Sequence, residues 1–135
     1  MATMVLALAI LGSVAALQFA ARELDGARMG SAAAQAMQNE VERIRLLSWT
    51  GIAALPASET VALSTDLTAQ TAVRDRMSLQ RDVADVADTG SPAKMKEIVL
   101  TARWRAIDGT SHERVFRMRY AKNGLYDYYY SSGSS

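Results

Sequence analysis

The sequence predicts an α+β fold: a long N-terminal α-helix, apolar in its first half and amphipathic in its second, packed on a small antiparallel β-sheet of three to four strands. Three observations lead there. The run from Met1 to Ala21, MATMVLALAILGSVAALQFAA, has no charged side chain, and Arg22 is the first ionisable one. From Arg22 to about Trp49 the chain turns polar, yet it contains neither Pro nor a cluster of turn residues, so the helix has no reason to stop. From Met77 onward, short stretches alternate apolar and polar residues. They are separated by Asp88-Thr89-Gly90-Ser91-Pro92, Asp108-Gly109 and Asn123-Gly124, the residue types of tight turns.

Five segments follow: 1–21 and 22–50 as the two halves of one helix, 51–76 as an irregular connection, 77–130 as the sheet domain and 131–135 (SSGSS) as a flexible tail. The apolar fraction is 50%, but much of it sits in the first helix, so residues 55–130 form a small domain with a marginal core of their own. Packing on the second half of the helix, or on neighbouring subunits, supplies the rest. A net charge of +1 gives no strong pull toward nucleic acid or acidic lipid. With no cysteine, disulfide staples, thiolate chemistry and Cys-ligated zinc are excluded.

Residues 1–21 as a helix rise about 31 Å, which matches a hydrocarbon core of roughly 30 Å. Met4, Val5, Leu6, Leu8, Ile10, Leu11, Val14, Leu17 and Phe19 are its large apolar side chains, while Gly12, Ser13 and Gln18 weaken it. An uncleaved anchor fits better than a cleaved signal peptide. Val14-Ala15-Ala16 offers small residues for cleavage, but no basic stretch precedes the apolar run and the helical pattern continues past Ala21. A buried core helix fits least, since so small a protein cannot cover it. Arg22 and Arg28 are offset by Glu23 and Asp25, so flanking charge does not set an orientation.

In the second half, Ala27, Ala34, Val41 and Ser48 recur every seven residues, with Met37 and Ile44 between them and Leu24 and Leu47 at the ends, making one apolar stripe. Glu40, Glu42, Arg43 and Arg45 fall mostly off it, and Glu40–Arg43 and Glu42–Arg45 are i,i+3 pairs worth at most a few tenths of a kcal/mol each. The small side chains of ARMGSAAAQA allow close approach of another helix or a sheet. Gly51 is the expected stop, and Pro56 prevents resumption.

The connection Leu55–Ala72 has no clear period, with room for a short turn or helix. Met77, Leu79, Arg81 and Val83 then alternate with Ser78, Gln80, Asp82 and Ala84, a weak strand signal because Arg81 breaks the apolar face. Glu97–Ile107 is the strongest strand: Ile98, Leu100, Ala102, Trp104 and Ala106 face one way, and Val99, Thr101, Arg103 and Arg105 the other. Phe116, Met118 and Tyr120 alternate with Val115, Arg117 and Arg119, and Leu125–Tyr130 closes the sheet. Helix-to-sheet packing is thus expected of Met37, Val41, Ile44, Leu47, Ile98, Leu100, Trp104, Phe116, Met118 and Tyr120, with Arg103, Arg105, Arg117 and Arg119 on the wet face.

Site chemistry is sparse. His112 is the single histidine, follows a turn and reads as a hairpin residue. Asp82, Asp85 and Asp88 offer oxygen ligands without the spacing of a calcium loop and read as a solvated acidic edge. Ser131-Ser132 lacks a nucleophile elbow, and neither GxGxxG nor a phosphate loop occurs. Tyr126, Tyr128, Tyr129 and Tyr130 suit an edge strand or an interface. With the arginine face they have the makings of a nucleic-acid surface, against which the net charge weighs. The expectation is a protein that is not an enzyme, with no cofactor, metal or small-molecule substrate.

The order of parts resembles the type IV pilin family, which includes the pseudopilins of type II secretion and related minor subunits. The resemblance rests on MVLALAILGSVAALQFAAREL, on the helical run ending QNEVERIRLLSW, and on KEIVLTARWRAIDGTSHERVFRMRYAKNGLYDYYY, similar to the sheet region of minor pilin-like proteins. In architecture it covers nearly the whole chain; as a motif it is only moderately specific. It implies a structural subunit held in the bacterial inner membrane by a single pass, with the sheet domain on the periplasmic side, that then assembles with other pilin or pseudopilin subunits. It also implies a leader cleaved before an N-methylated residue. Some relatives bind calcium in the sheet region, and some minor pilins bind DNA. The sequence departs from the family at its start: no Gly-Phe-x-x-x-Glu stretch is present, and aligning Gly12 with the glycine common in these helices puts Thr3 where the Glu belongs. The favoured explanation is that Met1 is an internal methionine and the leader and Glu-bearing turn lie upstream. The other is a subunit without that Glu, which puts processing and ordered assembly in doubt, because in the family it offsets a neighbour's N-terminal amine. The alternative function is a membrane-tethered or secreted small α+β binding domain whose apolar helix is only a signal or anchor.

Overall fold

The computed structural model describes residues 2–87 and 92–122. It is the α+β arrangement of a long helix on an antiparallel sheet. The elements are α1 (Ala2–Arg45), α2 (Trp49–Ala53), β1 (Ser58–Val61), α3 (Thr65–Thr68), α4 (Thr71–Arg76), β2 (Met77–Asp85), β3 (Met95–Arg105) and β4 (Ser111–Ala121). The expected strand Leu125–Tyr130, the tail 131–135 and Asp88 lie outside the described residues.

α1 is unbroken for 44 residues, about 66 Å at 1.5 Å per residue. It ends at Arg45, short of the expected Trp49. The reason is Ser48: its backbone is extended and its Oγ accepts a hydrogen bond from the Gly51 amide at 3.3 Å, capping a new helix, α2. Gly51 therefore lies inside α2 and is not the stop of α1. Tyr120 closes the corner by donating its hydroxyl at 2.9 Å to the carbonyl of Leu47, in the link between α1 and α2.

The connection is more ordered than its lack of period suggests. α2, α3 and α4 each bury one apolar side chain, Ile52, Leu67 and Val73 respectively. β1 adds a fourth strand on the outside of β2. Nothing in Ser-Glu-Thr-Val marks it, because none of its side chains is fully buried; backbone pairing makes it a strand, with Val61 half-buried on the core margin and Glu59 and Ser58 bonded to Arg81 and Asp82 of β2.

The sheet order is β1-β2-β3-β4, every neighbour antiparallel. Leu79 pairs with Ala102, Val83 with Ile98, Ile98 with Met118 and Leu100 with Phe116. β3 runs opposite to α1, from the level of the helix's end back toward Asp25, whose carboxylate meets the Ile107 amide just beyond β3. α1 lies across β2 and β3. The core between them holds Met29, Ala33, Met37, Val41 and Ile44 from the helix and Leu79, Val83, Ile98, Leu100 and Ala102 from the sheet. Leu47, Trp104, Met118 and Tyr120 pack on its margin, half-buried.

Two expectations need correction. The buried helix stripe is Met29, Ala32, Ala33, Ala36, Met37, Glu40, Val41 and Ile44; Leu24, Ala27 and Ser48 are exposed. A seven-residue repeat drifts about 20° per repeat round a straight helix and so walks off the contact face. Phe116 faces the helix side but is 44% exposed, because β4 extends past the edge of α1.

Stability should reflect this division of the helix. Leu100→Ala, in the core, should cost about 3 kcal/mol, whereas Leu8→Ala, on the uncovered half, should leave the domain's unfolding midpoint unchanged. Thermal unfolding followed by circular dichroism in detergent checks both.

Candidate functional site

The feature that stands out on this molecule is the uncovered half of α1. Met4, Val5, Leu6, Leu8, Ile10, Leu11, Val14, Leu17, Phe19 and Leu24 are all exposed. The most apolar 18-residue window has a mean hydropathy of 2.2, and none of it is buried by the domain. This one helix is long and apolar enough to cross a membrane. Beyond the first turn its backbone polar groups are satisfied within the helix, which is the condition for entering lipid. Ser13 bonds back to the Ala9 carbonyl at 2.8 Å and so presents no unpaired hydroxyl. An exposed apolar surface this continuous marks contact with lipid or with other protein chains.

Two ionic clamps hold this helix to the domain. At the lower clamp, Asp25 receives both Nη groups of Arg76, at 2.7 and 3.0 Å, and the Ile107 amide at 3.1 Å. Beside it Arg28 donates to Gln70 at 3.2 Å. The Arg76 hydrogen bonds hold the Asp25 carboxyl below its ordinary value, against the opposing effect of partial burial. The upper clamp lies about 22 Å along the helix. There Arg81 of β2, 2% exposed, donates to Glu40 of α1, 3% exposed, and to Glu59 of β1. Arg43 makes a two-pronged contact with Glu40 at 2.7 and 2.8 Å. Burial raises the Glu40 pKa, but the Arg43 and Arg81 donors outweigh it, and the net shift is downward.

This overturns one reading of the sequence and explains another. Glu40 lies on the buried stripe and is not a partner of Arg43 alone, and Arg81, the break in the apolar face of β2, is itself buried; each is the other's counter-charge inside the core. The signal was present in the spacing. Glu40 sits between Met37 and Ile44 on the buried stripe, and Arg81 holds the inward phase of an alternating strand between Leu79 and Val83.

The remaining candidates are surface features. His112 stacks on Trp104 with ring centroids 5.6 Å apart and planes 17° apart. Arg103 pairs with Glu113 at 2.7 Å, and Arg119 and Arg117 approach Glu97 at 3.4 and 3.8 Å, so acidic neighbours offset much of the arginine face. Asp82 accepts from Ser58 at 2.6 Å and Asp85 pairs with Lys96 at 2.7 Å. Among the described residues no three His, Asp or Glu side chains converge as metal ligands would. An open groove of 340 Å³ lies between α1 and β4, lined by Met37, Val41, Arg114 and Phe116. The tyrosines at 126 and 128–130 lie outside the described residues.

Compared with protein-family models, with curated proteins and with solved structures, the chain matches none. The functional reading therefore rests on the helix and its clamps.

Arg81→Met should destabilise the domain by about 3–5 kcal/mol, because Glu40 is left buried with its main inward partner gone, while the double change Glu40→Leu with Arg81→Met should recover most of the loss. Denaturant titration of the three proteins checks it. Both lowered carboxylates contribute stability that is fully present above their unfolded-state values near pH 4 and is lost as pH falls through the lower folded-state values. The unfolding midpoint should thus fall with acidification below about pH 4, and the Glu40→Leu, Arg81→Met double variant should show a shallower fall.

Proposed function

We propose that this chain is a structural subunit of a helical filament of the type IV pilus or type II secretion pseudopilus kind. It is held in the bacterial inner membrane by α1 before assembly, with the sheet domain on the periplasmic side. The observation that carries the reading is that the exposed apolar half of α1 continues without a break into a half that is clamped to the domain at Asp25 and Glu40. A tether has no need of rigid continuity, since a flexible linker would serve. A filament subunit does need it, because the position of the domain on the surface must follow from the position of the helix in the centre.

In this reading the partners are inner-membrane lipid first and other pilin or pseudopilin subunits afterwards. Moving α1 from lipid to a bundle of like helices exchanges one apolar surrounding for another. Close packing then provides the driving force, and the mixture of Ala, Gly12 and Ser13 with Leu, Ile and Phe19 provides shape for it. One observation favours the second reading, a membrane-tethered binding domain: the core draws no side chain from the first half of the helix.

Leu8→Lys or Ile10→Lys should abolish membrane residence and assembly, since a lysine at mid-span costs roughly 3 kcal/mol on insertion scales. Normal fractionation and assembly in both would refute the subunit reading. The chain has no cysteine, so Val14→Cys provides a clean cross-linking probe. One thiol per chain can form one disulfide, so an oxidised dimer in membranes is the result expected of a subunit, and monomer alone is that expected of a tethered domain.

A further inference from the structure

The end of the domain nearest the apolar half of α1 is the turn between β3 and β4. β3 runs antiparallel to α1, so the turn at Ile107–Thr110 continues in the direction of the helix's N-terminus. The Ile107 amide donates to Asp25 at 3.1 Å, and Arg22 stands about one helical turn before Asp25 on α1. The turn is stiff. The Ala106 amide bonds the Thr110 carbonyl at 2.8 Å, the Gly109 amide bonds the Ala106 carbonyl at 3.0 Å, and the Thr110 amide bonds the Asp108 side chain at 2.9 Å. Gly109 has φ 87°, a conformation that disfavours other residues.

Depth then follows from helix rise. Asp25 is four residues past Ala21, the end of the apolar run, which is about 6 Å. The headgroup layer on each side of the hydrocarbon is roughly 5–8 Å thick. With residues 1–21 spanning the core, Asp25 stands within the headgroups, and so does the turn bonded to it. The turn carries Ile107, a large apolar side chain 67% exposed, flanked by the exposed guanidinium groups of Arg105 and Arg22. An apolar tip with cations behind it has the chemistry of an interfacial contact, the apolar group at the acyl boundary and the charges at lipid phosphates.

We propose that the β3–β4 turn rests on the phospholipid headgroup layer, with Ile107 inserted and Arg22 and Arg105 on lipid phosphates, so that the domain is docked on the bilayer surface while the subunit waits in the membrane. The inference rests on the membrane-anchored reading of α1. It adds a second point of contact, which sets the domain's tilt and must be released when the subunit leaves the bilayer.

Because the chain has no cysteine, single-cysteine variants of the full chain carry an environment-sensitive fluorophore without background. Ile107→Cys keeps the backbone bond to Asp25, and its side chain is exposed, so the variant folds. Leu11→Cys reports insertion of the helix, and Leu46→Cys, exposed at the far end of α1, reports water. The proteins are reconstituted in vesicles of phosphatidylcholine and phosphatidylglycerol containing a headgroup-nitroxide lipid. The expected result is a blue-shifted emission at position 107 and quenching several-fold stronger than at position 46, with position 11 reporting hydrocarbon. If position 11 reports hydrocarbon while 107 behaves like 46, the docking inference is overturned and anchoring stands. If position 11 reports water, anchoring is overturned and the inference with it.

Discussion

The buried ion pair between Glu40 and Arg81 is the contact on which the architecture turns. A helix lying on a sheet through Ala, Met and Val alone would have several nearly equivalent placements, because apolar contacts are not directional. The pair removes that freedom. Sliding α1 by one turn, or rotating it by one residue, would part Glu40 from Arg81 and leave the buried guanidinium with Glu59 alone, a loss that a buried charge pair makes costly. The pair need not add net stability over an apolar substitute; its effect is to make one placement of the helix much better than its neighbours. Arg43 adds a second partner for Glu40 and Glu59 a second for Arg81, while the Arg81 Nε is buried without a partner.

The lower clamp at Asp25 turns that local definition into a long-range one. With the helix held at two levels about 22 Å apart, it cannot pivot on the sheet, and the direction of the uncovered half is set by the domain. A rigid rod of apolar surface therefore projects from a folded body, and the body's own nearest surface, the β3–β4 turn, hangs at a fixed distance from the rod's apolar end. Membrane residence, helix-to-helix packing and headgroup contact, as proposed above, are all consequences of that one rigid joint.

The small domain closes its core by unobtrusive means. α1 contributes its narrowest residues, Ala32, Ala33 and Ala36, where it approaches the sheet, and the connection supplies Ile52, Leu67 and Val73 from three short helices. Trp49 and Tyr120 stack with centroids 6.5 Å apart at the far end, where the chain turns out of α1. β4 is the edge left without cover, which is why Phe116 lines an open groove although it has the right phase for the core.

The sequence by itself determined the long helix, because an uncharged run followed by a Pro-free polar run has no other regular solution. It determined β3 and β4 through strict alternation, and the tight turn at Asp108-Gly109 through its residue types. It determined the apolar half of α1 as the candidate site, since nothing in a chain this short can cover it. It placed the helix face a little wrong and missed β1, whose four residues include only one half-buried side chain, Val61, and so leave no pattern. What only the tertiary structure decided was the meaning of Glu40 and Arg81. Each looks like a solvated charge or a flaw when read along the chain, 41 residues apart. A buried charge is tolerable only when its counter-charge is at hydrogen-bond distance. That distance is created by the helix crossing β2, a fact of packing that no local window of sequence contains.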